Sequence, residues 1–332
     1  ADRFAARCLA MGHECDLALL EVPDPAFWAG ASFPEFGPVP GLRDRVTAVG
    51  FPFSGDNISV TSGVVSRVDT VMYVHAAAHL LAVQIDAPIN PGNSGGPAFA
   101  ADGRVAGAAF QTTPDAQNMG FLIPAPVVRN FLDSYERLGR YPGVVRLGVE
   151  CQALENPSLR AALGMRAGQT GVRVSRVATL APAAGHLEAG DVILAIDGVA
   201  VGNDGTVDWR AGERASMDLL VTRHMAGDRV ALRVLRARAE REVCLTLEVP
   251  PQLVPVHQYN QLPEYYMLAG LVFTPLIQPL LHDYAHEGAA WLHAAPRALV
   301  GKALDAHPTR EGEQVVVLCQ VLQDEANVGY AG

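Results

Sequence analysis

The heptapeptide PGNSGGP, residues 91–97, restricts this chain more than any other feature. A serine set among glycines needs a backbone that turns sharply and aims the hydroxyl outward. Such a turn brings the amide N–H groups of Gly92 and Ser94 toward one point, where a developing oxyanion can be held. A side chain at position 92 would restrict the turn. Gly95 and Gly96 leave room for a substrate strand and a neighbouring wall to approach. Ser94 is therefore the candidate nucleophile, and the loop Gly92, Asn93, Ser94 is the candidate oxyanion hole. The competing reading is a plain glycine-rich hairpin, and the flanking residues weigh against it.

The motif sits among short β-type runs: LALLEV (17–22), RVTAVGF (45–51), ISVTSGVVSRV (58–68), LLAVQID (80–86) and RVAGAAF (104–110). Gly, Pro and Asp turns separate them, a spacing that suggests a β-barrel or sandwich. VVRNFLDSYERLG (127–139) changes the period. Val128, Phe131, Leu132, Tyr135 and Leu138 fall at helical spacing and Gly139 ends the run, which predicts a helix closing the β unit. RYPG (140–143) is a short link. Beyond it the pattern is mixed. LGVECQAL (147–154), GVRVSRV (171–177), DVILAIDGVAV (191–201), RVALRVLRA (229–237) and EREVCLTLEV (240–249) read as strands. SLRAALGM (158–165) and ERASMDLLVTRHM (213–225) read as helices. Asp191 and Asp197 read as turn residues. A Pro-rich stretch, 250–266, reads as an ordered linker to a further unit containing the strand EQVVVLCQVL (313–322).

Composition narrows the function classes. Hydrophobic residues make up 49% and charged residues 18%, as in packed domains. A net charge of -10 argues against a general nucleic-acid binder, whose phosphate contacts need clustered Lys and Arg. No apolar run reaches the roughly 18–20 residues that cross a bilayer. The closest, Met267 to Leu281, is interrupted by Pro275 and Pro279 and reads as a buried strand and turn, with a membrane-contacting segment as the alternative. The five cysteines at 8, 15, 151, 244 and 319 are widely spaced and include no CxxC, so neither a disulfide framework nor a zinc site is expected. Reduced, mostly buried thiols follow, which favours a reducing compartment. The opening ADRFAARCLAMGHECD lacks the basic region and apolar core of a signal peptide. It reads as the middle of a domain.

QIDAPINPGNSGGPAF, residues 84–99, resembles the segment around the nucleophile in the second barrel of the HtrA/Deg family of chymotrypsin-like proteases. CDLALLEV (15–22) resembles the family's catalytic-aspartate strand, which implies Asp16 as the triad acid. VTSGVVSRV (60–68) resembles the barrel strand after the interdomain crossing, and NMGFLIPAPVV (118–128) the segment leading into the closing helix. LGVECQALENPSLRAALGM, NDGTVDWRAGER, LVPVHQYNQLPEYYMLAGLVFTPL and QVLQDEANVGY resemble plant and algal Deg proteases with divergent PDZ domains. The resemblance implies a mostly β chain with three parts. A chymotrypsin-like double β-barrel, its first barrel truncated, occupies 1–140. A PDZ-like α+β domain spans 144–250. A linker and an incomplete second PDZ-like domain occupy 251–332.

The same resemblance implies an ATP-independent serine endopeptidase acting on damaged or unfolded proteins. It implies a homo-oligomer built from trimers, no metal or organic cofactor, no nucleic acid and at most peripheral membrane contact. Chloroplast is the implied location, with nucleus and mitochondrion as alternatives. The S1 pocket would be walled by Ala108–Gln111 and the loop before Ser94, and would take small or apolar P1 residues. A PDZ unit captures peptides by strand addition, with backbone N–H groups on a terminal carboxylate. Arg146, Leu147, Gly148 and Val149 would form that loop, unless the unit instead serves to hold an oligomer together.

One departure matters. The family's order is His, Asp, Ser, and only 15 residues precede Asp16. His13 is too close to Asp16 along the chain to sit between it and Ser94. His75 and His79 follow the acid and are expected in a loop between strands. The expectation is that the N-terminal part of the protease unit, with its histidine, lies before residue 1. Without a general base Ser94 is a weakly nucleophilic alcohol. The rival reading is a non-catalytic chaperone or peptide-binding scaffold of the same fold. A pure PDZ adaptor leaves an intact PGNSGGP without explanation.

Overall fold

The computed structural model describes residues 3–51, 57–73, 78–90, 92–112, 119–210, 212–258, 261–285 and 290–322. His75, Pro91, Asn118, the side chain of Gln111 and the tail beyond 322 lie outside the described residues.

The chain opens with a hairpin, β1 (Arg7–Gly12) and β2 (Leu17–Glu21), and a short helix, α1 (Pro25–Trp28). Six strands then close a barrel: β3 (Arg45–Gly50), β4 (Ser59–Tyr73), β5 (Ala78–Ile85), β6 (Pro97–Ala100), β7 (Val105–Thr112) and β8 (Gly120–Pro124). Their order is β3-β4-β5-β8-β7-β6, and β6 returns to pair with β3. β5 is apolar on both faces and buried along most of its length, so it reads as a continuous run. β3 alternates at its start, with Val46 and Ala48 turned inward. Val46, Val65, Leu81, Val83, Ile85 and Leu122 fill the barrel.

Helix α2 (Ala125–Leu138) closes the barrel. Pro126 falls in its first turn, where a missing N–H costs nothing. Gly139 ends it at φ 68°, donating its N–H to Tyr135 O. A second cluster packs α2 and the first hairpin on the barrel wall through Cys15, Tyr73, Leu80, Phe110, Ile123 and Phe131. Val256, far along the chain, is buried in the same cluster.

The next unit contains β9 (Val149–Ala153), α3 (Pro157–Ala162), β10 (Val172–Val177), β11 (Val192–Ile196), β12 (Val199–Ala200), β13 (Thr206–Arg210), β14 (Glu213–Ser216), α4 (Asp218–Thr222), β15 (Arg229–Arg236) and β16 (Ala239–Thr246). Its sheet runs β16-β15-β11-β10-β9, leaving β9 at an edge. β13 and β14 pair with each other, and Val207 of β13 also forms a single bridge with Val201. The last unit holds β17 (Tyr266–Leu268), β18 (Leu271–Pro275), α5 (Gln278–His282), α6 (Trp291–Ala294), α7 (Arg297–Leu304) and β19 (Val316–Val321). Its three strands pair in the order β17-β18-β19, and Leu276, Leu281 and Trp291 form its core.

Three expectations change. Residues 213–225 do not form one helix: 213–216 belong to a hairpin whose turn carries Gly212 at φ 77°, and only 218–222 are helical. The apolar run 267–281 is not a buried strand, because Tyr266, Met267 and Leu268 are exposed. No helix among the described residues is long and apolar enough to cross a membrane. Of the five free thiols Cys15 alone is buried, while Cys8, Cys151, Cys244 and Cys319 are exposed.

Asp191 does more than make a turn. It is 2% exposed, and Arg236 reaches it with Nε at 2.7 Å and Nη2 at 2.6 Å. Removing one partner of a buried pair strands the other charge, which costs about 3–5 kcal/mol. Arg236→Met is therefore expected to destabilise this unit by about 3 kcal/mol, measured by urea unfolding of the whole chain, with Asp191→Asn/Arg236→Met recovering part of the loss.

Candidate active site and peptide groove

Ser94 stands exposed on the loop between β5 and β6. The loop is pinned from both sides. Gly95 N–H donates to Ala109 O at 2.7 Å, and Ala109 N–H returns to Gly96 O at 2.8 Å. Gly96 N–H donates to Asn93 O at 2.9 Å, and Asn93 N–H to Asn90 O at 2.9 Å. Among the described residues no acceptor takes the N–H groups of Gly92 or Ser94. Gly92 holds φ 100°, the left-handed side that glycine tolerates. The Asn93 amide is spent within the turn, so the two free amides flank it. Asn93 itself is fully buried and serves as the wedge of the loop.

Two glycines make this packing possible. A Cβ on Gly96 would run into Val49 O, and a Cβ on Gly50 would lie 2.7 Å from Asn93 Cα. The end of β3 thus lies directly on the nucleophile loop. On the other side a Cβ on Gly120 would lie 2.6 Å from Ile89 Cγ1. Asp86 secures the approach to the loop by accepting the Val64 N–H at 2.6 Å.

Ser94 Oγ donates to Phe110 O at 2.9 Å. The Phe110 ring packs on Tyr73 with centroids 4.5 Å apart. Tyr73 is fully buried, and its hydroxyl donates to Leu81 O at 2.7 Å. Burial, and then the charges of Cys15 and Asp16, push the Tyr73 phenol well above its ordinary value. Asp16 sits in the exposed turn just before β2, at φ 53°, and not on the strand itself. Beside it, burial pushes the Cys15 thiol up to about 12. That thiol is a packing group and not a nucleophile.

Among the described residues no histidine bonds Ser94. The His13 ring stacks on His257, centroids 3.4 Å apart. Burial first, and then the charge of His13, hold His257 below its ordinary value. His79 lines the groove described next. No group of three or more His, Cys, Asp or Glu among the described residues could hold a metal ion.

Residues 146–149 lie at the mouth of a cavity of about 200 Å³. Leu147 and Val149 form one wall, and Val221 and Thr222 of α4 form the other. Gly148 turns the chain at φ 73°, with its carbonyl taken by Ala178 N–H at 2.9 Å. Arg146 bridges to Glu248. Val149 opens the edge strand β9, so its outer main-chain groups are available for an added strand. Sequence reasoning missed His79 and His307, which also line the cavity. Burial and the nearby Arg176 hold His307 below its ordinary value. Neither is legible without knowing that three distant segments meet there.

A six-stranded barrel with a serine loop of this shape, joined to a sheet-and-helix unit with an open edge strand, defines a trypsin-like peptidase domain followed by PDZ units. Comparison with known proteins agrees. Residues 1–107 match the family model of the trypsin-like peptidase domain, and residues 145–247 and 254–332 match two models of the PDZ domain. Protease Do-like 2, chloroplastic, of Arabidopsis thaliana is 43% identical over 330 residues, 99% of this chain and 53% of that protein. Protease Do-like 4, mitochondrial, of the same plant is 40% identical over 328 residues, 99% of this chain and 60% of that protein. The solved HtrA-type protease AlgW with tripeptide is 30% identical, with a TM-score of 0.55 over 74% of this chain and 78% of that one. The chain belongs to the HtrA/Deg family of serine proteases. It spans about half the length of the curated relatives it matches.

The close approach of β3 to the loop gives a test. Gly50→Ala overpacks a site with no slack, at a cost of about 1–3 kcal/mol. Urea unfolding should register that loss, and backbone shifts should centre on residues 92–96.

Proposed function

We propose that the protein is an ATP-independent serine endopeptidase of damaged or unfolded proteins, with Ser94 as nucleophile and Asp16 as the acid of its triad. The supporting observation is an exposed hydroxyl on a rigid loop beside two amides that have no acceptor among the described residues. In this reading Ser94 Oγ leaves Phe110 O and turns to an imidazole, the general base of the triad. The imidazole takes the hydroxyl proton as Oγ attacks the scissile carbonyl carbon, and later passes it to the leaving amine. Asp16 orients and stabilises the imidazolium. The amides of Gly92 and Ser94 hold the oxyanion. The loop before Ser94 and the strand from Ala108 wall the S1 pocket and favour small or apolar P1 residues. No cofactor enters the reaction.

Division into 1–140, 144–250 and 251–332 follows the change from barrel to PDZ-like sheet to the final three-stranded unit. Arg146, Leu147, Gly148 and Val149 capture the carboxyl end of a peptide that adds as a strand to β9. A homo-oligomer built from trimers rests on the family resemblance alone, and a chloroplast location on the names of relatives, one chloroplastic and one mitochondrial. Relatives named as proteases favour the peptidase over the inactive scaffold.

Two measurements test this. In protein extended to the length of its relatives, Ser94→Ala should abolish fluorophosphonate labelling, and Asp16→Asn should lower kcat on casein by about 10⁴-fold. Equal labelling of wild type and Ser94→Ala would sink the assignment. For the groove, fluorescence anisotropy should find a peptide with a free terminal carboxylate bound at least about tenfold more tightly than its amide, the difference of a charge-assisted hydrogen bond. Equal affinities exclude carboxylate capture.

A further inference from the structure

The β13–β14 hairpin is bridged to the rest of the PDZ-like unit by a single Val201–Val207 pair, and it packs against the barrel. Trp209 packs against both hydrophobic cores, that of the PDZ-like unit and that of the barrel. Ala215 is 1% exposed and belongs to the barrel's core, together with Leu219 of α4. At the end of β13, Arg210 reaches across the boundary. Nη1 donates to Val39 O at 2.8 Å, and Nη2 donates to Pro40 O at 2.9 Å and to Glu213 Oε2 at 2.7 Å. The guanidinium lies over the Trp209 ring, 4.6 Å from its centroid. Val39 and Pro40 lead into β3 through a turn whose amides are bonded: Gly41 N–H to Asp44 Oδ2, Asp44 N–H to Gly41 O, and Arg43 N–H to Val65 O.

A second attachment lies on the other side of α4. Asn130 Nδ2, from α2, donates to the carbonyls of Arg223 and His224 at 3.0 Å each. Arg137 Nη1 pairs with Asp228 Oδ1 at 2.7 Å, and Nη2 donates to Ala226 O. Helix α4, a wall of the peptide groove, is therefore gripped at both ends.

Units joined by a short link move relative to one another unless their interface is large and apolar. Here two apolar cores share side chains, and a planar fork closes the contact. We propose that the β13–β14 hairpin is a latch that holds the PDZ-like unit in one orientation on the barrel, and that Arg210 closes it. The guanidinium serves two carbonyls and a carboxylate from two separate nitrogens held in one plane. A lysine ammonium has three donors, but all on one nitrogen at the end of a flexible stem, so it cannot span the same three acceptors in this geometry. The latch presents the groove with the barrel as one body, whatever the groove binds.

Hydrogen exchange of the whole chain tests this, read at the amides of Gly41, Arg43 and Asp44 and across residues 206–216. Arg210→Ala should speed exchange at both places by at least about tenfold, as expected for loss of a charge-assisted hydrogen bond. Arg210→Lys should fall between it and wild type, and protection in β10 and β11 should not change. Faster exchange confined to 206–216, with residues 41–44 as protected as in wild type, overturns the proposal, because Arg210 would then serve the hairpin alone. If Arg210→Ala does not fold, Arg210→Lys decides by the same readout: unchanged protection of residues 41–44 rejects the latch.

Discussion

The close approach of main chain to main chain around residues 92–96 governs the rest of this structure. β3 lies on the loop through Gly50 and Gly96, and β7 clips it through two hydrogen bonds between Ala109 and the Gly95–Gly96 segment. A serine hydroxyl beside two amides that have no acceptor among the described residues is useful only if those amides cannot drift, since preorganised dipoles stabilise developing charge without reorganising. Side chains at these glycines would push the loop outward. The barrel is closed around this requirement, with the buried β5 carrying the chain to it and Asp86 fixing the last turn.

The sequence disclosed the barrel and its loop far better than the joints between units. β3, β5 and β7 were legible because their residues are apolar, β-branched or small at the right period, with turns on both sides. The loop was legible because few backbones need glycine at so many neighbouring positions. Residues 213–225 were misread because apolar spacing in a short window fits a helix as well as a hairpin running into a single helical turn. Trp209 and Arg210 gave no local signal, since the carbonyls of Val39 and Pro40 lie some 170 residues away in sequence. Position alone could not tell that Asp191 would be paired, because its partner Arg236 lies 45 residues further along the chain, on the strand that pairs with β11.

The peptide groove is assembled from parts with different duties. β9 offers unpaired main-chain groups along a sheet edge, a liability that proteins cover unless it has a use. Leu147, Val149 and Val221 supply the apolar part of the cavity lining, beside Arg146 and Asp218. His79 arrives from the barrel and His307 from the last unit, so the cavity is bordered by all three parts of the chain. The linker follows the same logic: Val256 is buried in the cluster between α2 and the barrel, and His257 stacks on His13 of the first hairpin. The stretch that reads as an ordered linker packs here against both the barrel and the first hairpin.

Helix α4 has only five residues, yet Leu219 is counted in the barrel's core while Leu220 and Val221 are counted in that of the PDZ-like unit. Neighbouring positions therefore answer to different masters. A substitution that suits one core is judged at the same moment by the other, so neither unit can drift in sequence or be exchanged for a foreign counterpart without its neighbour changing in step.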